Sequence, residues 1–226
     1  MSRSQSSLRA SRLLLPIPRD RRTRRFAQLL FGLALYGVAM GLQVRGALGV
    51  DPWNVLHEGI ARLTGMSFGS VIIAVSVVVL LLWIPLRQRP GIGTLGNATL
   101  VGIGADLTLR LIPPTDALAA RIPMMLVGIL ITGVAAAIYI GAGLGPGPRD
   151  GLMTGLHARG FGSIRLIRTC IELAVLVTGY LLGGGLGVGT VLFALTIGPV
   201  IQLVLPWVAV DAVDVRRRAE QTETPA

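Results

Sequence analysis

Two segments of this chain, 96 residues apart, share an unusual pattern of glycine, proline and acidic residues. Residues 47–56 read ALGVDPWNVL and residues 143–152 read GLGPGPRDGL, so Pro52 and Pro148 occupy equivalent positions. Farther along, the GIGT sequence at 91–94 is matched by GVGT at 187–190 with the same offset. An internal repeat indicates two copies of one structural unit, which constrains the fold more strongly than any single segment does.

The middle of the two copies aligns less simply. Gly69-Ser70 matches Gly162-Ser163 at a spacing of 93, which implies that three residues are lost there and regained before the second glycine motif. We interpret the chain as a duplication with two flanking tails. Its predicted parts are a basic tail (1–24), membrane repeat 1 (25–113), a connecting loop (114–120), membrane repeat 2 (121–210) and a second tail (211–226).

The composition is typical of a protein embedded in a membrane. Of the 226 residues, 52% are hydrophobic and 14% are charged, and the mean hydropathy is +0.71. Soluble domains carry roughly 25% charged residues, and a helix needs roughly 20 apolar residues to cross the hydrocarbon core. Six runs are long enough: 26–45, 68–87, 92–112, 122–143, 163–183 and 188–209. The predicted fold class is therefore an all-α polytopic membrane protein.

Each repeat also contains a short helix that is interrupted or re-entrant, at about 52–64 in the first copy and within 141–159 in the second. Asp51-Pro52 favours a helix start, because Asp caps a helix and Pro is tolerated at its first position. Gly147-Pro148 has the same role in the second copy. A segment of about 13 residues with several polar side chains is too short to cross the membrane, which takes roughly 20 residues.

Whether these short helices cross the membrane decides the symmetry of the repeats. Without crossing there are six spans and the second copy is inverted; with crossing there are eight and the copies are parallel. The positive-inside rule does not decide, because the ten arginines between the tails divide six against four in both topologies. Segment length favours six spans.

The two tails indicate orientation and location. Eight arginines lie in the first 25 residues, and Arg216-Arg217-Arg218 follow the last span. Both clusters predict cytoplasmic termini. The net charge of +10 is then explained by topology and by contact with the lipid bilayer, without nucleic acid. The single cysteine, Cys170, excludes an internal disulfide, and with no catalytic motif visible we expect no metal, no cofactor and no enzymatic activity.

The last span of each repeat has a stripe of small and polar residues at intervals of four, which places them on one helix face. Such a face is expected to contact protein or water in preference to lipid. The first stripe is Thr94, Ala98, Gly102, Asp106 and Arg110, and the second is Thr190, Ala194, Gly198, Gln202 and Pro206.

Three segments carry a family resemblance. Residues 48–56 (LGVDPWNVL), 64–69 (TGMSFG) and 91–94 (GIGT) resemble the bacterial YczE/YyaS/YitT-type integral membrane proteins. The resemblance covers most of the chain between the tails. It implies a multi-span bacterial inner-membrane protein without an established biochemical activity, and it transfers no catalytic or binding residue.

Candidate binding residues lie on the short helices and at charged positions inside spans. Free N–H groups at a helix N-terminus favour an anion, whereas the acids there favour a cation or zwitterion. Inside the fifth span we expect Glu172 to pair with Arg168, where the 93-residue offset places Val75 and Val79 in the first copy. The candidates are Asp51, Asn54, His57, Glu58, Asp106, Arg110, Arg149, Asp150, Arg168, Glu172 and Gln202.

Two functions from different classes follow from these features. The first is a transporter of a small solute or ion, with its site between two pseudo-symmetric repeats, because interrupted helices at matching positions mark such sites. The alternative is a non-transporting scaffold that binds another membrane or cytoplasmic protein. A membrane enzyme is a third class, without a motif in its favour. Either of the first two is compatible with a homo-oligomer.

Overall fold

The structure is a computed structural model that describes residues 14, 15, 17, 18 and 20–210. The described chain contains eight helices and no strand, which confirms the predicted all-helical class. The helices are α1 (Arg22–Gly46), α2 (Pro52–Thr64), α3 (Phe68–Leu86), α4 (Ile92–Leu111), α5 (Leu118–Gly141), α6 (Pro148–Ala158), α7 (Ile164–Leu181) and α8 (Val188–Val208). Most of the basic tail and all of the second tail lie outside the described residues.

The two short helices begin where the sequence predicts. Asp51 accepts a hydrogen bond from the backbone N–H of Asn54, and Pro52 is the first residue of α2. In the second copy Gly147 precedes α6, and Pro148 is its first residue. Proline is well suited to this position, because it needs no intrahelical N–H partner there.

The predicted gap in the middle of the repeat is wrong. Gly69 and Ser70 lie inside α3, whereas Gly162 and Ser163 precede α7, so they are not equivalent. The true N-cap residues are Ser67 and Ser163, each accepting a hydrogen bond from a backbone N–H three residues later. The residues before the helix starts are therefore 96 apart throughout: Arg21 and Ala117, Asp51 and Gly147, Ser67 and Ser163, Gly91 and Gly187. At this offset Arg168 and Glu172 correspond to Ile72 and Ser76, not to Val75 and Val79.

Helix α1 runs antiparallel to α5. Arg25, in the first turn of α1, donates a hydrogen bond of 2.9 Å to the carbonyl of Ala142, just after the end of α5. At the other end Arg121, in the first turn of α5, donates a hydrogen bond of 2.9 Å to the carbonyl of Gly46. Because one of these bonds lies at each end of the pair, α1 and α5 lie side by side along their whole length.

Helix α4 runs parallel to α1, and α8 runs parallel to α5. Arg45, in the last turn of α1, donates a hydrogen bond of 2.6 Å to the carbonyl of Ile112, which follows α4. In the same way Gly141, the last residue of α5, packs against the backbone of Ala209, which follows α8. The four helices α1, α4, α5 and α8 form the centre of the bundle.

The loop before each short helix is attached to the first turn of α4 or α8 of the other predicted repeat. Gly49 and Gly145, with φ of 106° and 121°, allow the sharp turns that these contacts need. The attachments are Gly93 N–H to the Leu144 carbonyl (2.8 Å), Gly189 N–H to the Leu48 carbonyl (2.8 Å), Thr94 Oγ1 to the Pro146 carbonyl (2.7 Å) and Thr190 Oγ1 to the Val50 carbonyl (2.7 Å). The two threonines of the stripes are therefore buried anchors.

Four helices, α1, α3, α5 and α8, are long and apolar enough to cross a membrane. Many of their apolar side chains face outward, among them Phe31 (62% exposed) and Leu203 (72% exposed). Exposure of this kind is costly in water but favourable in lipid. Together with the composition, it establishes a membrane protein.

The two halves differ in one packing contact. In the first half α3 packs along α4, with the backbones of Gly69 and Gly102 in close contact. In the second half α7 packs against α2 and α6 instead of along α8. Gly198 is equivalent to Gly102, and apart from its own stretch of α8 no atom of the described residues lies within 4 Å of the position that its Cβ would take. The separation of α7 from α8 leaves a cavity.

Candidate functional site

A cavity of about 520 Å³ lies between the first turns of the two short helices and the separated helices α7 and α8. Its walls also include the middle of α1 and the C-terminal part of α5. Five of the predicted binding residues line it: Asp51, Arg149, Asp150, Arg168 and Glu172. The fold therefore brings together charged groups that lie up to 121 positions apart in the chain (Asp51 and Glu172).

An ion pair joins the first turns of the two short helices. Nη1 of Arg149, the second residue of α6, lies 3.1 Å from Oδ1 of Asp51, the N-cap of α2. The Asp51 side chain is 2% exposed, whereas that of Arg149 is 28% exposed, so the guanidinium is the accessible partner. Removing one partner of a buried pair costs about 3–5 kcal/mol, so this contact fixes α2 and α6 relative to each other.

Aromatic side chains surround the same guanidinium. Nη2 of Arg149 lies 3.0 Å from the hydroxyl of Tyr36, and its Cζ lies 5.7 Å from the ring centroid of Trp53. Tyr36 meets the edge of Tyr139, with ring centroids 6.0 Å apart. The Tyr139 hydroxyl donates to Oδ2 of Asp150 at 3.3 Å. Every charged group contributed by the short helices is thus held in a defined position.

Asn54 and His57 lie behind the ion pair. The Asn54 amide donates to Oδ2 of Asp51, and its Oδ1 lies 3.0 Å from Nδ1 of His57. The His57 ring meets Phe68 edge-on at 6.1 Å. Both residues are buried and do not line the large cavity. They position Asp51 and are not direct binding groups of that cavity.

Arg168 and Glu172 form the opposite wall. Nε of Arg168 lies 2.9 Å from Oε1 of Glu172, one helical turn later on α7, which confirms the predicted pair. Both side chains remain partly exposed. An exposed pair at this spacing contributes only about 0.3–0.5 kcal/mol to stability, so the two charges are available for binding at little cost.

A second, smaller void of about 30 Å³ adjoins the large cavity. The two spaces share five lining residues: Tyr36, Trp53, Asn97, Pro148 and Arg149. The indole N–H of Trp53 is buried and has no hydrogen-bond partner in the described part of the chain. By contrast, the indole N–H of Trp83 donates to the Pro148 carbonyl at 3.0 Å.

Besides Asn54 and His57, four predicted site residues lie outside the large cavity. The carboxylate of Asp106 accepts hydrogen bonds from the Gly69 N–H (2.7 Å) and the Ser67 hydroxyl (2.5 Å), at the N-terminus of α3. Glu58 accepts a hydrogen bond of 2.8 Å from the Gly185 N–H and lines a separate pocket. Arg110 and Gln202 are exposed on α4 and α8. These positions result from contacts between helices, which helical spacing alone does not show.

The family of the protein follows from comparison with known sequences. A model of DUF6198, a family of unknown function, matches residues 23–206, which include all eight helices except the last two residues of α8 and the first of α1. The chain belongs to the DUF6198 family. No solved structure matches it.

Relatives of this DUF6198 chain occur in bacteria. An uncharacterised protein of Haemophilus influenzae is 42% identical over 181 residues, which cover 80% of this chain and 83% of the relative. The uncharacterised membrane protein YczE of Bacillus subtilis is 30% identical over 77% of this chain and 82% of its own length. The uncharacterised protein YyaS of the same organism is 26% identical over 77% of this chain and 89% of its own length. These matches confirm the resemblance to YczE and YyaS.

The sequence analysis missed the aromatic part of the site in this DUF6198 protein. Tyr36, Trp53, Asn97 and Tyr139 line the cavity without having been predicted. A signal was present, because all three tyrosines of the chain lie inside predicted apolar spans, among them Tyr36 and Tyr139. A buried tyrosine hydroxyl usually needs a hydrogen-bond partner, which would have indicated polar neighbours for both.

Proposed function

We propose that this membrane protein transports a small polar solute or ion, which it moves unchanged through a site between its two halves. The observation that carries the proposal is the Asp51–Arg149 ion pair, which joins the N-termini of two short helices on the wall of a cavity of about 520 Å³. Charges inside membrane proteins are costly and commonly mark substrate or ion pathways. Interrupted helices that meet at such a site are typical of transporters built from repeats.

The proposed topology has six spans and inverted repeats. Helices α1 and α5 are antiparallel, so the chain between them crosses the membrane an even number of times. The antiparallel pair α3 and α4 accounts for two crossings, which leaves none for α2. The constant offset of 96 between helix starts and the reciprocal attachments of the two short helices support the duplication. With the basic tails inside, both termini are cytoplasmic.

The asymmetry of the halves supports alternating access. The cavity is lined by the first half of α7, the middle of α8 (residues 193–201) and the end of α5, and it lies toward the end of the bundle where α1 begins. In the proposed topology this end is cytoplasmic. The equivalent gap between α3 and α4 is closed at the opposite end by Asp106 and Gly102. When α7 closes onto α8 and α3 separates from α4, the site becomes exposed to the other side of the membrane.

Solute counterflow in proteoliposomes tests the proposal. Vesicles loaded with an unlabelled mixture of amino acids and small carboxylic acids are diluted into the same compounds in radiolabelled form. We expect accumulation of at least one labelled compound with the wild-type protein, and a loss of about ten-fold or more with Glu172→Gln, because it removes a charge from the wall without burying a new one. Arg110→Gln, an equivalent loss of charge on an exposed residue outside the cavity, is the matched control.

Two results contradict the proposal. The absence of counterflow for every compound in the mixture contradicts transport, and a Glu172→Gln variant that matches wild type contradicts the site assigned here. A stable partner that co-purifies with the inactive protein supports the scaffold function instead.

A further inference from the structure

The small void beside Trp53 has the chemistry of an anion site. Of the twelve residues that line it, Arg149 is the only one with a formal charge at neutral pH, counting His57 as neutral. The acidic residues of the large cavity, Asp51, Asp150 and Glu172, do not line this void. The lining of this void therefore carries positive charge alone, although the lining of the large cavity has charges of both signs.

Two side chains that line this void have unused hydrogen-bond donors. The Trp53 indole can only donate, and its buried N–H lacks a partner among the described residues. Leaving such a donor unsatisfied costs about 1–3 kcal/mol, so the side chain is suited to an acceptor that the protein itself does not supply. The Arg149 guanidinium has five N–H donors, of which one binds Asp51 and one binds Tyr36.

The N-terminus of α6 adds to this field. Pro148 and Arg149 are the first two residues of an 11-residue helix and both line the void. The free N–H groups and partial positive charge at a helix N-terminus favour an anion.

We propose that this void binds a small monovalent anionic group, held by the indole N–H of Trp53 and the guanidinium of Arg149. The inference deepens the proposed transport function and rests on it only for the route of the anion, since binding itself needs no transport. A volume of about 30 Å³ accommodates roughly one water-sized group, which fits a halide ion or one end of a carboxylate. The anion is either a free inorganic ion or the carboxylate of a solute whose remainder occupies the large cavity.

Asp51 competes with the anion for Arg149. It holds Nη1 of the guanidinium at 3.1 Å, and its negative charge opposes the entry of a second one. Replacing Asp51 by Asn removes this charge but keeps the helix cap, since Asn is as good an N-cap as Asp. The anion should then bind more tightly. Replacing Arg149 should weaken binding of the anion. Substitutions of the two partners of one ion pair are therefore expected to change the affinity for the anion in opposite directions.

Indole ¹H–¹⁵N spectra test this proposal directly. The protein, labelled with ¹⁵N-tryptophan and held in detergent micelles, gives one indole signal each for Trp53, Trp83 and Trp207. Sodium acetate and sodium chloride are titrated separately, with a bulky sulfonate salt keeping the ionic strength constant. We expect a saturable downfield shift of the Trp53 proton alone. Trp83, already bonded to Pro148, and Trp207, 71% exposed, are internal controls.

The two titrations distinguish the sources of the anion, and the variants test its site. A response to chloride alone assigns a free inorganic ion, and a response to acetate assigns the carboxylate of a solute. Asp51→Asn should lower the dissociation constant by about ten-fold or more, Arg149→Gln should abolish the shift, and Arg110→Gln should leave it unchanged.

The proposal is overturned if Trp53 responds to neither anion in wild type or Asp51→Asn. An affinity that Asp51→Asn leaves unchanged also overturns it, and this variant keeps the test valid even if Arg149→Gln fails to fold. The outcomes for transport are separate. A Trp53 response without counterflow supports the anion site and contradicts transport, whereas counterflow without a response contradicts the anion site alone.

Discussion

The pair α3–α4 and its equivalent α7–α8 begin with the same local signals and end in different arrangements. Ser67 and Ser163 cap α3 and α7 in the same way, and Thr94 and Thr190 anchor α4 and α8 to equivalent loops. Yet α3 lies against α4, whereas α7 and α8 are separated by the cavity. Local structure is therefore common to both copies, and the difference between them lies in the contact between helices.

One side-chain contact distinguishes the two pairs. Asp106 on α4 accepts hydrogen bonds from Ser67 and Gly69 and thereby closes the gap between the helices. The equivalent residue on α8 is Gln202, which is exposed. A carboxylate satisfies free N–H and O–H groups at a helix N-terminus more strongly than a neutral amide does. The closed pair has this interaction and the open pair lacks it.

A second comparison shows that packing positions are equivalent even where residue sizes are exchanged. Gly151 on α6 packs against the large ring of Trp83 on α3. At the equivalent contact Gly179 on α7 packs against Val55 and Leu56 on α2. The glycine lies on the short helix in one half and on the long helix in the other. At both contacts the short helix and the long helix pack closely, because a glycine on one of them makes room for the other.

The largest expected effect comes from replacing glycine by leucine at equivalent positions of the closed pair α3–α4 and the open pair α7–α8. Gly102→Leu should destabilise the protein by about 3 kcal/mol, because a Cβ there lies 2.5 Å from the Gly69 carbonyl oxygen. Gly198→Leu should change stability by less than about 0.5 kcal/mol, since open space surrounds it, but should abolish counterflow by filling the cavity. Reversible unfolding in mixed micelles measures both. Equal destabilisation by the two variants would show that α7 also packs along α8.

A smaller effect is expected from removing the polar contact between α3 and α4. Asp106→Ala should cost about 2 kcal/mol, because it leaves the Gly69 N–H and the Ser67 hydroxyl without their acceptor. The equivalent change Gln202→Ala should stay within about 0.5 kcal/mol. The same unfolding measurement compares them. If Asp106→Ala proves as mild as Gln202→Ala, Asp106 does not close this pair.

The smallest effect separates the local cap from the contact between helices. Ser163→Ala removes one capping bond, to the Leu166 N–H, and should cost about 1 kcal/mol. Ser67→Ala removes the same kind of bond together with the one to Asp106, and should cost about 2 kcal/mol. Thermal unfolding of the two variants side by side measures the difference. Identical losses would mean that the Ser67–Asp106 bond contributes nothing.

The sequence predicted the helices well because lipid and local capping determine them. All six apolar runs coincide with helices, and the short helix at 52–64 has the predicted bounds. Arg168–Glu172 was predictable because its partners are one turn apart on one helix. The Asp51–Arg149 pair was not predictable, because the two residues are 98 positions apart and the sequence indicated each only as a separate candidate. The repeat alignment failed around Gly69 because two glycine-serine pairs matched by chance in different structural positions.

By itself, the sequence determined that this chain is a helical membrane protein, where its helices begin and which charged residues are candidates for binding. These properties depend on residues that are neighbours along the chain and on an apolar solvent that every span meets alike. Only the tertiary structure decided which helices are antiparallel, that Asp106 holds α3 on α4, and that Arg149 meets Asp51 and Trp53 at a cavity. Such contacts depend on the position and direction of whole helices, which no local pattern contains.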